Sequence, residues 1–369
     1  MTYIADLIKE HCPNGVEWKE LGEVCDTVVS PIKLKRNEYQ SNGAIAIIDQ
    51  GEEFVAGYID IEKYLPQDEY VIFGDHSEHI KFVNFPFVQG ADGLKILKSR
   101  QGVIPKFLYY CFCNFYKKEG NYKRHWSVAR TTSIPIPPLE VQKEIVALLD
   151  KFTEYVTELT AELTLRQKQY NYFRDYLLNF DSDSSGGGAN NKVYQVEWKT
   201  LKDIAKLKNG KDWKSLSVGD VSVYGSGGAM GEFVSEYAYN KPTVLIPRKG
   251  SISNLFYLEK PFWNVDTIYY TEIDESQVVP RYLYYCLTTI DLESMAANPT
   301  RPSLTQAILD KIPIPIPSLP IQQRIVQVLD NFDAVCNDLN IGLPKEIEQR
   351  QKQYDYFREK LLTFTAEGV

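Results

Sequence analysis

One two-part text is written twice in this chain, about 180 residues apart, and any fold it adopts must accommodate that repeat. The first copy opens VEWKELGEVC at Val16 and the second VEWKTLKDIA at Val196, so Trp18 matches Trp198. IPKFLYYCF at Ile104 returns as VPRYLYYCL at Val279, and IPIPPLEVQKEIVALLDKF at Ile134 returns as IPIPSLPIQQRIVQVLDNF at Ile314. RQKQYNYFRDYLLNF at Arg166 returns as RQKQYDYFREKLLTF at Arg350. Solenoid units have periods of about 20 to 50 residues, so this is a duplicated domain, and 369 residues suffice for two or three domains with cores of their own.

Each copy has a variable first portion and a helical second portion, divided by proline: Ile134, Pro135, Ile136, Pro137, Pro138 in one, Ile312 to Pro317 in the other. Alternating Ile and Pro keeps the backbone extended, and the last Pro can occupy a first helical turn. Beyond it, Ile145, Leu149, Phe152, Val156, Leu159, Leu163, Arg166, Tyr170, Phe173 and Leu177 recur in alternating steps of four and three, the narrow apolar seam of a coiled coil. The second copy offers Ile325, Leu329, Phe332, Cys336 and Leu339, then Arg350, Tyr354, Phe357 and Leu361. An 11-residue step and Gly342 with Pro344 break that helix into two pieces. Runs such as AIAIID at Ala44, YVIF at Tyr70, PTVLIP at Pro242 and TIYYTEI at Thr267 predict strands. The expected architecture is α+β. Strand-rich domains over 1–138 and 193–316 alternate with helical regions over 139–181 and 317–369, the helices pair as an antiparallel coiled coil, and DSDSSGGGANN makes 182–192 a linker. A 36-residue helix is about 54 Å long, so such a pair would set two heads about 50 Å apart under an approximate two-fold axis.

No apolar run approaches the roughly 18 residues of a membrane span. Six cysteines without a CxxC pair or disulfide-like spacing suit a reducing cytoplasm. The net charge of −8 speaks against a nucleic-acid partner only as a chain average. Residues 102–132 hold six basic residues against one acidic, and 201–262 hold nine against six, whereas 139–183 hold five against nine.

Catalytic signatures are missing from the sequence. There is no GxxxxGK[ST] loop, and Met230 stands where a dinucleotide fingerprint needs its third glycine, so Gly225 to Gly231 reads as a turn. Asp75, His76 and His79 have metal-ligand chemistry, yet copy two has no matching histidines and no cysteine cluster completes a set. Glu17 with Lys19 and Glu197 with Lys199 mimic the end of a nuclease motif, but the tryptophans between them read as the inner face of a strand. What remains is binding. Basic residues interleave with aromatic and small polar ones at Lys33, Lys35 and Arg36; at Tyr122, Lys123, Arg124, His125, Trp126 and Arg130; at Lys208, Lys211, Trp213 and Lys214; and at Arg248, Lys249 and Ser251. Such sets neutralise phosphates and read base edges, which points to double-stranded DNA. His79 and Arg301 complete the candidates. The competing reading is a non-catalytic coiled-coil scaffold that binds proteins.

The tandem IPIPPLEVQKEI and IPIPSLPIQQRI borders, the two RQKQY helices, and segments such as VYGSGGAMG and PTVLIPRKGSISN make the chain resemble a type I restriction-modification specificity subunit over nearly its whole length. That resemblance implies two target-recognition domains reading an asymmetric, bipartite DNA sequence and no catalysis in this chain. It also implies two modification subunits, which bind S-adenosylmethionine and methylate adenine, docked on the helical regions, and restriction subunits that translocate and cut. By the same resemblance Gln50, His76, Lys81, Arg248, Lys249 and Ser251 fall in segments that face DNA, and Ile145, Leu149, Phe152, Leu159, Tyr170, Phe173, Ile325, Leu329, Phe332, Leu339, Tyr354 and Phe357 build the coiled coil and subunit-docking region.

Overall fold

A computed structural model describes residues 2–180, 196–296 and 303–364. The linker expected at 182–192 and the candidate Arg301 lie outside the described residues. The chain divides into two compact units, Met1–Leu159 with Ile347–Val369, and Thr160–Glu346. Each unit therefore takes a strand-rich head from one copy and helical segments from both.

In the first unit β1 (Glu17–Glu20) pairs antiparallel with β9 (Ser133–Ile136), Trp18 lying opposite Pro135. A strand tolerates proline at every second position because only alternate residues donate to a given neighbour. A four-stranded antiparallel sheet follows the order β2 (Cys25–Val28), β8 (Leu94–Ser99), β5 (Tyr70–Gly74), β6 (Ile80–Val83). A three-stranded sheet follows the order β4 (Gly57–Ile59), β3 (Ile45–Ile48), β7 (Phe87–Gln89), with β3 and β7 parallel. The helix Pro105–Phe115 buries Phe107, Leu108, Tyr110, Cys111 and Phe112 in the core that holds Val71, Phe73 and Leu97 of the larger sheet.

The second unit repeats this plan. β10 (Glu197–Thr200) pairs with β18 (Pro313–Ile316). One sheet runs β11 (Ala205–Asn209), β17 (Ile268–Ile273), β14 (Thr243–Pro247), β15 (Phe256–Leu258), and the other β13 (Gly228–Val234), β12 (Val218–Gly225), β16 (Trp263–Asn264), with β12 and β16 again parallel. The strands expected at Ala44, Tyr70, Pro242 and Thr267 are present as β3, β5, β14 and β17. Two middles that look unrelated in sequence thus share strand order and direction throughout.

The helix Leu139–Leu178 begins directly after Pro138, and Leu319–Asn337 begins after Ser318 with Pro320 in its first turn. In the first unit Ile145 and Leu149 are buried in one core with Leu361 and Leu362, and Phe152 stacks on Phe357 at 5.1 Å. Tyr354 lies against Tyr110. In the second unit Phe173 stacks on Phe332 at 5.4 Å, while Leu178 joins Ile325 and Leu329. The later positions of one helix meet the earlier positions of the other, so both pairs are antiparallel. The repeat equates Phe152 with Phe332 and Phe173 with Phe357, which makes the two stacks one contact with the copies exchanged. Leu159 and Tyr170 are half-buried on the same seam.

The second helix is broken, as expected, into Leu319–Asn337 and Leu343–Leu362. Gly342 sits where an added Cβ would lie 2.6 Å from the Ala334 carbonyl oxygen, so the chain can turn there only without a side chain. Leu339 is corrected by this break: it falls in the turn, 71% exposed, and contributes nothing to the seam. Leu339→Ala should therefore shift unfolding free energy by less than about 0.5 kcal/mol, whereas Leu329→Ala, at a fully buried position, should cost about 2–5 kcal/mol. Chemical denaturation of both variants checks the contrast.

The matched tryptophans also diverge. Trp18 is half-buried edge-on against Phe115 at 5.3 Å, but Trp198 is 44% exposed. The counterpart of Phe115 is Ile290, beyond the end of the shorter helix Pro280–Thr288, so an aliphatic side chain stands where the first unit has a ring.

Candidate nucleic-acid interface

The equivalent strand ends of each head converge on one corner. In the first head these are the exits of β3 and β5 and the entrance of β8. Asp75 N–H donates to the Gly93 carbonyl and Gln50 Nε2 to that of Asp92, while His76 N–H donates to Gln50 Oε1 at 3.2 Å. The Gln50 carbonyl accepts from Ser77 Oγ and from His79 Nδ1. The His76 ring lies 5.0 Å from that of Tyr122, nearly parallel, and its Nδ1 donates to the Lys123 carbonyl at 3.0 Å. Lys33 reaches the same corner from the chain that leaves β2, pairing with Asp92 at 3.2 Å.

The second head builds its corner from the exits of β12 and β14 and the entrance of β17. Arg248 N–H donates to the Thr267 carbonyl at 2.9 Å, the counterpart of the bond from Asp75 to Gly93. Ser226 N–H donates to Thr267 Oγ1, and Lys249 pairs with Asp266 at 3.7 Å. The Arg248 guanidinium donates to Asn209 Oδ1 at 3.1 Å and lies 5.2 Å from the Tyr269 ring centre. The chain after β11 passes so close to β16 that a Cβ on Gly210 would sit 2.1 Å from the Val265 carbonyl oxygen, and Lys211 N–H bonds the Asn264 carbonyl. Glycine at 210 thus brings Lys211 to the corner that Lys33 reaches in the first head.

The structure gathers Lys33, Gln50, His76 and His79 in one head and Lys211, Arg248 and Lys249 in the other. Ser251 is exposed three residues past Arg248, Arg124 is exposed beside the Tyr122 stack, and Lys35, Arg36 and Lys214 are exposed on neighbouring chain. Three candidates are displaced. Lys81 is buried, its ammonium donating to the Asp49 and Glu53 carbonyls, and burial lowers its pKa against the opposing pull of Asp49 and Glu53, so it braces the loop from inside. Arg130 lays its guanidinium over Gly22, in the turn after β1. Lys208 pairs with Glu272, four residues into β17. Sequence reading missed Asn209, which holds the Arg248 guanidinium, and Asp92, which pairs with Lys33 at the surface; the Asn-Gly turn dipeptide at 209–210 was the one available signal for Asn209.

Asp75 is committed to the Trp126 N–H and Lys95. Among the described residues no group of three or more His, Cys, Asp or Glu side chains is placed to hold a metal ion. Glu17 and Lys19, like Glu197 and Lys199, form ion pairs at 3.0 and 3.2 Å along their own strands. The run from Gly225 is the hairpin turn between β12 and β13, with Gly228 at φ 101°. No helix among the described residues is long and apolar enough to cross a membrane.

The type I restriction modification DNA specificity domain matches residues 13–166 and again 195–349. The chain belongs to this family. It is 32% identical over 393 positions to the EcoR124I/EcoR124II specificity subunit of Escherichia coli, with 95% of this chain and 94% of that protein covered. A Haemophilus influenzae relative named as a type I restriction enzyme specificity subunit is 31% identical over 383 positions, covering 95% and 96%. The S subunit of a type I restriction-modification system from M. genitalium superposes with a TM-score of 0.68 over 94% of this chain and 96% of its own. At 19% identity that likeness speaks to the fold. As a type I specificity subunit the chain selects DNA sequence and is not a catalytic subunit, and nothing in the comparisons favours a protein-binding scaffold.

Proposed function

We propose that each head reads one part of a two-part, asymmetric double-stranded DNA target through its strand corner, and that the chain presents this target to two modification subunits and, through them, to restriction subunits. S-adenosylmethionine would be held by the modification subunits, which would dock on the helical pairs. Six free thiols fit a reducing cytoplasm. One observation carries the reading: two heads of the same topology place different polar residues at equivalent points. Asp75 and His76 follow β5 where Arg248 and Lys249 follow β14, and Gln50 follows β3 where Ser226 follows β12. A shared scaffold with exchanged corner residues is what two different base sequences require.

Selection of duplexes with randomised positions by the full chain bound to its modification subunit tests this. Two separate runs of preferred bases are expected. If six to ten phosphates are contacted, affinity should fall about 10³- to 10⁵-fold between 50 and 200 mM salt. A single run of preferred bases, or binding indifferent to sequence and salt, overturns the reading.

A further inference from the structure

A carboxylate buried beneath the first corner fastens the segment that carries Tyr122. Glu78 is 2% exposed and is the one non-glycine residue among those described with positive φ, at 58°. This left-handed backbone is uncommon for such a residue and turns the side chain inward. Its oxygens accept from the Tyr116 hydroxyl at 2.5 Å, the Glu119 N–H at 2.9 Å and the Gly120 N–H at 2.8 Å. The fully buried His125 stands with Nδ1 3.6 Å away and donates from Nε2 to the Asn121 carbonyl. One carboxylate thus holds the start and middle of the segment 116–125 and lies beside the imidazole at its end. Burial would raise its pKa, but the hydrogen bonds from Tyr116, Glu119 and Gly120 and the nearby His125 outweigh that and keep it below the ordinary glutamate value.

At the tip of this segment Tyr122 is 88% exposed and stacked on His76, and Arg124 is exposed beside it. The tip is also tied to the corner directly, His76 Nδ1 donating to the Lys123 carbonyl at 3.0 Å. Lys123 pairs with Glu119 within the segment itself, and His125 N–H is fixed to Asp75 only at the far end. In the second head the position matching Glu78 is Ser251, which has no carboxylate to offer.

We propose that Glu78 is a positioning residue for base reading by the first head: it holds the segment 116–125 so that Tyr122, Lys123 and Arg124 stand beside His76 and Gln50. The inference rests on the function proposed above. Glu78 never meets DNA; it fixes which side chains do. A guanidinium and an aromatic ring at the tip suit duplex DNA, through bidentate hydrogen bonding and apolar contact with base edges.

The test uses the full chain with its modification subunit in the randomised-duplex selection. Glu78→Gln, which replaces two N–H-accepting carboxylate oxygens by one, should lower base preference roughly 10-fold at positions in one part of the target and leave the other part unchanged. Tyr122→Ala with Arg124→Ala should blur the same positions, and adding Glu78→Gln to that pair should change preference by less than about 2-fold, because residues in one network do not add. Should Glu78→Gln prevent folding, Tyr116→Phe removes one of the three hydrogen bonds and should blur the same positions more weakly. Loss in both parts, loss in neither, or a full additional loss on the triple variant overturns the assignment. A wild-type complex that selects no two-part sequence would instead overturn the function on which it rests.

Discussion

Replacing Gln142 by leucine should destabilise the first unit by about 2–4 kcal/mol, measured as a lower urea midpoint, although the two side chains are nearly equal in size. The amide of Gln142 is fully buried one turn into the helix Leu139–Leu178. Its Nε2 donates to the Pro137 carbonyl at 2.8 Å and the Gly102 carbonyl at 2.9 Å, and its Oε1 accepts from the Ile104 N–H at 2.9 Å. One side chain therefore ties the end of β9, the start of the long helix and the N-cap of Pro105–Phe115 together. Ile104 offers no side-chain cap of its own. Leucine would leave the buried Pro137 oxygen and the Ile104 N–H without partners, each a loss of about 1–3 kcal/mol, whereas the exposed Gly102 can turn to water. Gln322 repeats the arrangement with the Val279 N–H and the Gln277 and Pro317 carbonyls, at 2.8, 3.0 and 2.8 Å. Gln322→Leu should cost a similar amount, and the double variant should show the sum, since the two sites share no partner. An unchanged midpoint for either would mean the amide is not what closes the border.

The glutamines explain why a sequence repeat that ends in IPIP-x-L-x-x-Q is legible as a domain border: proline denies helix, and the amide fastens the first turn after it. Periodicity also exposed the seam, because Phe152, Phe173, Phe332 and Phe357 obey one heptad rule. The shared topology of the heads was hidden for the opposite reason. A strand requires only alternation and flanking turns, so IAII in β3 and VGDVSVYG in β12 fill the same place without a common residue pattern. Lys81 shows the limit of alternation. In the strand IKFV both faces carry apolar residues and both are packed, Ile80 and Phe82 against the core of the helix Pro105–Phe115, so the pattern cannot say that Lys81 is buried on the face of Val83. The contact between His76 and Tyr122 was illegible too, since it joins two loops whose meeting depends on a buried glutamate between them.

Arg248→Ala should weaken binding to the preferred duplex about 10- to 200-fold and erase base preference in one part of the target only. The reason lies in how the guanidinium is held. The Tyr269 ring stacks against it and Asn209 Oδ1 takes one N–H, which fixes its plane at the corner while leaving further donors of the fork for a ligand. A preorganised planar fork can form two parallel hydrogen bonds to a guanine edge without first losing rotamer freedom. Lysine cannot reproduce that fork, so Arg248→Lys should lose preference nearly as fully as Arg248→Ala despite its unchanged charge. Lys249 supplies the contrast. Its ion pair with Asp266 spans 3.7 Å between two exposed side chains and restrains it little. Lys249→Ala should therefore weaken preferred and altered duplexes alike and reduce the slope of log affinity against log salt by about 1, the signature of a lost phosphate contact. Isotherms on the preferred duplex and on duplexes altered in each part, taken across a salt series, separate the two behaviours. If Arg248→Ala instead weakened every duplex equally, Arg248 would be a phosphate contact, and base reading in the second head would have to come from Ser226 and Ser251 at the same corner.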